Sequence, residues 1–409
     1  MPNRPLLLAL AVTACSPRAA PTAPATTGAG EDAAKRDEPW IAELRAYRAV
    51  DPGDQGAAYL AAHLAVARGD TDEALRLLEA IVAAGFPLPI RPVDFPGLAE
   101  LPRFKPLAER LKATPASGSA EPAFTVGPAD LVPEGIACDE ASGAAFVGSI
   151  NHEKIVRVDG TTPRDLVANR EDLGAVLGMT VDAPRRWLWA AHNPRGEAAS
   201  AAGERSGVAA FDLETGAPKA RADLDGEHLL NDVAVARGGD VFVTDSTRGQ
   251  VWRLPGGGGT LAAVAPEGTF VYPNGLAWID ERATLLIADA SGLHALDPAT
   301  GERRRVARGP APTLAGVDGL QRRGDALVAV QYGQRVLRWR LDAAALAVTG
   351  EEVLLAGHPS FEAPTTGCAL GERYLVIANS HVDEFDEHAG APKPAAKLRP
   401  LTVLAVPLR

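Results

Sequence analysis

The chain has 409 residues, long for one ordinary compact domain and ample for a large core, so two unequal folded units are expected. With 52 acidic against 41 basic residues the formal charge is -11, which argues against a phosphate-tracking surface; nucleic acid is not an expected partner, and a cation site is. Three cysteines are too few for a disulfide scaffold, and no run of about 18 apolar residues follows the N-terminus, so no spanning helix is expected in the mature chain.

Residues 1–14 read as an export address: Arg4 gives a positive start, residues 6–12 an apolar stretch, and Thr13-Ala14 small residues before Cys15. Val12-Thr13-Ala14-Cys15 resembles the lipobox of bacterial lipoproteins. That resemblance implies cleavage before Cys15, acylation of its sulfur and a place in the cell envelope, with the membrane touched only through the lipid anchor. Each buried methylene of such an anchor contributes about 0.8 kcal/mol. Residues 15–39 are Ala, Pro, Thr and Gly with a few charges and read as a disordered linker.

Residues 40–113 carry helical periodicity. Tyr59, Leu60, His63, Leu64 and Ala67 recur on one face, then Gly69-Asp70, then Ala74, Leu75, Leu77, Leu78 and Ile81, which is a helix, a turn and a helix. The phrase from residue 57 to 85 resembles one tetratricopeptide repeat. An isolated repeat cannot bury its apolar face, so the unit is expected to pack on the rest of the chain or on a protein partner. Residues 114–123, rich in Ser, Ala, Gly and Pro, form a second linker.

From residue 124 to 409 the pattern becomes short strands of Val, Ile, Leu and Ala between turn residues. One phrase recurs at a spacing of about 45 to 50 residues: Pro133-Glu134-Gly135, Leu177-Gly178-Met179, Asn231-Asp232-Val233, Pro273-Asn274-Gly275, Asp318-Gly319-Leu320 and Thr365-Thr366-Gly367. Each leads into a second apolar strand and often a third. Six such phrases predict a mainly β fold, a six-bladed β-propeller preceded by the small α-helical unit, with a pair of β-sandwiches as the alternative. Trp187, Trp189, Trp252, Trp278 and Trp339 fall on strands and are expected to pack between blades.

The first strand of a propeller blade lines the central channel, so polar residues at matching places in successive phrases converge there. Glu134, Asn231, Asn274 and Asp318 form a doubly negative oxygen set of the kind Ca²⁺ prefers, and no histidine or thiolate cluster of zinc type accompanies them. Taken singly, Asn274-Gly275 is also a common turn pair and Asn231-Asp232 a plausible cap where a strand begins. Cys138 and Cys368 lie in the first strands of the first and last blades; buried free thiols are expected, with a disulfide as the alternative.

The quoted phrases resemble the successive motifs of the senescence-marker/gluconolactonase (regucalcin-like) family and, more distantly, the paraoxonases. The resemblance covers residues 126–409. It implies a channel Ca²⁺ held by Glu134, Asn231, Asn274 and Asp318, and hydrolysis of a lactone or related small ester by a water that attacks a metal-polarised carbonyl. It offers two candidate bases: Asp318, and His192 in Ala191-His192-Asn193-Pro194, which is similar to a catalytic Asn-His-Pro segment of paraoxonases; the bland alternative for His192 is a solvent-facing loop residue. His152, His228 and His381 are read as ordinary loop residues. The sequence departs from the family where Leu229-Leu230 precede Asn231 in place of a sugar-reading arginine, and where residues 212–225 hold no second histidine. The two leucines point to a less polar substrate, an acyl lactone or aryl ester. The rival readings are a non-catalytic propeller with a structural metal that binds a small molecule or protein, and a helical docking module with the propeller as scaffold.

Overall fold

The structure is a computed structural model that describes residues 39–85, 90, 94–110, 114–168 and 173–408. The leader, Cys15 and most of the linker after it lie outside these residues.

Six antiparallel sheets follow one another around a ring, each with its first strand innermost; among the described residues five have four strands and the fifth blade gains a short outer strand, Ser117–Gly118, paired on Val348–Ala356. Blade one runs through Ile136–Asp139, Ala144–Ser149, Lys154–Asp159 and Thr162–Val167. Blade two runs through Ala175–Asp182, Trp187–Asn193, Gly207–Asp212 and Pro218–Asp223, and blade three through Leu230–Val235, Val241–Asp245, Gln250–Leu254 and Ala262–Ala263. Blade four comprises Leu276–Ile279, Thr284–Asp289, Gly292–Leu296 and Arg303–Arg305; blade five comprises Val317–Arg323, Ala326–Gln331, Arg335–Leu341 and Val348–Ala356. Blade six is built from both ends of the ring: Gly367–Leu370, Arg373–Ile377 and Leu401–Pro407 are completed by Glu121–Val126, which pairs Val126 with Leu401 before the chain enters blade one. The fold is therefore a six-bladed β-propeller.

Second strands are buried along their whole length in blades one and three because each blade packs on a neighbour at both faces, and this is why they read as continuous apolar runs rather than alternating ones. Each seam has its own apolar cluster. Phe146 and Leu188 mark the first, Trp189 and Val243 the second, Phe242 and Ile287 the third, Leu286 and Trp339 the fourth, Val330 and Tyr374 the fifth, Val147 and Leu375 the last. Trp278 stacks on Phe242 at 5.2 Å across the third seam. At the last seam Cys138 and Cys368 are joined in a disulfide with Cα atoms 5.6 Å apart. The expectation of free thiols is thereby corrected: closing the ring sets the first and last inner strands side by side with these two side chains facing, a relation that no local pattern carries.

Among the described residues the helical unit has four helices, α1 (Pro39–Val50), α2 (Gln55–Ala67), α3 (Thr71–Ala83) and α4 (Phe104–Arg110). Asp54 and Asp70 cap α2 and α3 by accepting from the Ala57 and Glu73 amides, and Gly69 turns between them with φ of 75°. Leu75, Leu78, Phe95 and Phe104 form its core. The other face of the unit lies on the propeller: Trp40, Ile41, Leu44 and Leu60 pack with Val271, the Gln55 amide donates to the Pro312 carbonyl, and Arg308 forks onto Asp51 at 2.6 and 2.8 Å. Arg303 pairs with Glu43, and the Arg305 guanidinium lies 3.9 Å from the centre of the Tyr47 ring.

Candidate functional site

The first regular ladder residues of the six inner strands are Ile136, Met179, Val233, Leu276, Leu320 and Gly367. Two residues before each stand Glu134, Leu177, Asn231, Asn274, Asp318 and Thr365, all buried at the channel end of their blades. The four residues named from the sequence therefore occupy one ring, with Leu177 and Thr365 completing it.

Local backbone chemistry delivers them. Val132, Tyr272 and Ala363 are left-handed, with φ of 45°, 53° and 53°, and each precedes a proline followed by Glu134, Asn274 or Thr365. Gly316, φ 70°, holds the same place before Asp318. The left-handed residue turns the chain inward and the proline fixes the next step. A polar residue at the end of a second strand then secures the incoming segment in several blades. Ser149 donates to the Leu131 carbonyl, Asp289 accepts from the Val271 amide, and Gln331 donates to the Ala315 carbonyl. Asn193 accepts from the Leu230 amide of the next blade, whereas Asn379 accepts from Thr402 on the third strand of its own blade.

Hydrogen bonds pass from blade to blade around the ring. Asn274 Nδ2 donates to Asp318 Oδ1 at 2.8 Å, Asn231 Nδ2 to Ser246 Oγ at 3.2 Å, and Ser246 Oγ to the Pro273 carbonyl at 2.6 Å. Thr365 Oγ1 donates to the Glu134 carbonyl at 2.8 Å and so carries the ring across the last seam.

A further acid joins them. Asp232 stands one residue after Asn231, where four other blades have Gly135, Gly178, Gly275 and Gly319. It accepts from the Leu276 amide at 3.0 Å and from its own neighbour Val233 at 2.9 Å. Burial, and then the charges of Asp318 and Asp232, hold the Glu134 carboxyl well above the ordinary range. Burial pushes Asp232 up to about 7 against the two amide hydrogen bonds, with Asp318 adding to the rise. The same two aspartates, after burial itself, raise the Tyr374 hydroxyl. Among the described residues, the charges that act on the two acids are those of other acids.

The donor set is all oxygen, hard and anionic, which suits a divalent cation of Ca²⁺ type. Among the described residues, no three Asp, Glu, His or Cys side chains come together as a ready metal cluster. The acids sense one another's charge without converging, so amide oxygens and some closing of the ring would be needed to complete a coordination sphere.

His192 lies elsewhere in its blade. It is buried on the second strand opposite Val176, with Nε2 3.3 Å from Asp223 Oδ1 on the outermost strand. Burial works against the Asp223 charge, but the bonds from His192 and Arg221 outweigh it and keep that carboxyl below the usual range. His192 is thus neither a ring residue nor a solvent-facing one. His152 and His228 pair with Asp130 and Asp245 at 3.0 and 2.6 Å, and His381 is buried beside Asn379. Leu230 is fully buried in the seam between blades two and three, so it cannot line a pocket; Leu177 is the apolar member of the ring.

Above Asn274 the helical unit and propeller enclose a narrow cleft. Gly56, Tyr59, Leu60 and His63 of α2 form one side; Tyr272, Asn274, Asp289 and Ala290 of blade four and Gly316, Val317 and Tyr332 of blade five form the other.

No family model matches the chain, and no curated protein matches it. Solved structures resemble it at low identity. A gluconolactonase from Xanthomonas campestris is 18% identical, over 72% of this chain and 98% of that one, with a TM-score of 0.46. The calcium-binding protein regucalcin from Agrobacterium tumefaciens is 17% identical over 70% and 96%, TM-score 0.46, and virginiamycin B lyase from Staphylococcus aureus is 13% identical over 71% and 99%, TM-score 0.48.

Proposed function

We propose that the chain is a Ca²⁺-dependent hydrolase of a lactone or small ester, exported and lipid-anchored at Cys15 in the cell envelope. The observation that carries this reading is the set of acids, buried Glu134 and Asp318 with half-buried Asp232 beside them, whose negative charges raise the carboxyls of Glu134 and Asp232. Such a set is costly unless a cation completes it. Glu134, Asn231, Asn274 and Asp318 are the residues that would hold it, and when bound it would polarise a carbonyl oxygen and stabilise the developing oxyanion. Asp318, which accepts from the Asn274 amide on Oδ1, is the carboxylate that would take a proton from the attacking water. His192, engaged with Asp223 on the outer side of its blade, is assigned no part. The disulfide at the last seam suits an oxidising compartment and supports export.

The test is an assay of purified residues 39–409 against lactones and aryl esters, with calcium and with chelator. Turnover that chelator abolishes and Asp318→Asn removes is expected; full activity of Asp318→Asn refutes the mechanism. The burial of the whole ring also suits a closed, structural ion. Tight calcium binding with no turnover of any ester would establish that second reading.

A further inference from the structure

In five blades the first ladder residue of the inner strand carries a side chain; in blade six it is Gly367. Tyr374 of the adjoining second strand takes that space. A Cβ on Gly367 would lie 2.4 Å from its Cε1 and 2.7 Å from its Cζ. The phenol therefore reaches inward from the second strand to the level of the innermost one, and its hydroxyl lies at the edge of the channel.

The matching second-strand residues of the other blades are Ala145, Leu188, Val241, Leu285 and Leu327, all apolar. Phenylalanine would fill the same seam, where the Tyr374 ring packs with Val330 and Val376. Packing does not call for the hydroxyl, and the hydroxyl is costly: it is fully buried and has no hydrogen-bond partner among the described residues. The Gly367 amide favours its oxygen, but no group there accepts its proton.

Its surroundings are negative. Burial and the charges of Asp232, in the blade directly across the ring, and of Asp318 keep the phenol protonated. An O–H bond with nothing else to satisfy turns its hydrogen toward those charges, which lie at the hub. Asp232 and Thr366 are only half-buried, so solvent reaches the hub at this level. A buried donor that keeps its proton and has no acceptor in the fold is suited to an oxygen brought by a ligand.

We propose that Tyr374 is the hydrogen-bond donor of the channel site: its hydroxyl donates to the acyl oxygen of a bound lactone or ester, and most strongly when that oxygen becomes anionic. The assignment rests on the hydrolase reading and deepens it by naming a protein group that shares the developing charge with the cation. Tyr374 neither gives up a proton nor takes one. One ligand oxygen has to reach it from the hub, and no cavity has to open in the seam.

Tyr374→Phe keeps the ring in place and removes only the oxygen. In calcium, kcat for γ-butyrolactone should fall about a hundredfold, the loss expected for one oxyanion donor, with KM little changed. The melting temperature and calcium affinity of the variant should equal or exceed those of wild type, because in the free protein the hydroxyl bonds to nothing. A wild-type kcat overturns the proposal. A lower melting temperature or weaker calcium binding also overturns it, since either gives the hydroxyl a structural partner or a role at the metal. Should no lactone be turned over, the hydrolase reading fails and the donor is judged by binding alone. The chain has five tyrosines, so in carbon-labelled protein the Cζ resonance of Tyr374 is the one that Tyr374→Phe deletes. Displacement of that resonance when δ-valerolactam, an unreactive cyclic carbonyl, is added to the calcium-loaded protein upholds the donor, and an unmoved resonance overturns it.

Discussion

Asp232 takes the place of a glycine, and the substitution has a physical cost. A Cβ on Gly178 would lie 2.7 Å from Asp232 Oδ1, so the carboxylate fills space that neighbouring blades leave to backbone. Its pKa of about 7 is well above the ordinary range for aspartate. Without a cation the folded protein holds this proton more tightly than the unfolded chain does. Stability from this group is therefore full below about pH 4 and is lost as pH rises toward 7. The ceiling is about 4 kcal/mol, lowered by solvent screening because Asp232 is only half-buried. In chelator, wild type should unfold at lower urea at pH 8 than at pH 5, and Asp232→Asn should lose much of that slope; an equal slope in both would clear Asp232 of the effect. Excess calcium should rescue wild type more at pH 8 than at pH 5. The ring itself was legible in the sequence because Glu134, Asn231, Asn274 and Asp318 recur at one place in a repeat. Asp232 carries a weaker signal, the glycine that stands at its place in four other blades. The depth of His192 in its blade had no such signal, since a strand residue reads alike whether it faces a channel or an outer strand.

At the scale of elements, the helix pair was legible from local information: the apolar stripe of α2 and α3 and the turn at Gly69 lie within a short span of chain. What that pair rests on was not, because Gly56 looks like an ordinary small residue of a repeat and its purpose is set by Thr313 and Ala315, far along the chain. Replacing Gly56 by Ala should push α2 off blade five, because three atoms at under 3 Å, one of them the Cβ of Ala315, cannot all give way. Overpacking of this kind costs about 1–3 kcal/mol. Amide exchange across α1 and α2 should speed up while strands of blades two and three keep their protection. Unchanged exchange in α1 and α2 would mean that the junction absorbs the methyl and that the contact is less exacting than its distances imply.

The molecule as a whole is a ring, and a ring has one seam where its ends meet. Here two devices act at that seam: Glu121–Val126 completes blade six from the N-terminal side, and the disulfide joins the inner strands of blades one and six. They differ in kind, since the strand contributes ladder hydrogen bonds and apolar burial of Phe124 and Val126, whereas the covalent link mainly limits the unfolded chain. Removing the link by Cys138→Ser with Cys368→Ser should lower stability by about 2–5 kcal/mol. Where the loss falls reveals how the wheel holds together. If blades are separate cooperative units, exchange should rise first in Ile136–Asp139 and Gly367–Leu370, while Val241–Asp245 of blade three, flanked by intact seams, keeps wild-type protection. A uniform rise through all six blades would show that the ring opens only as one body. In that case the channel acids, supplied or braced by successive blades around the ring, are held by closure itself, and calcium binding should weaken together with the seam.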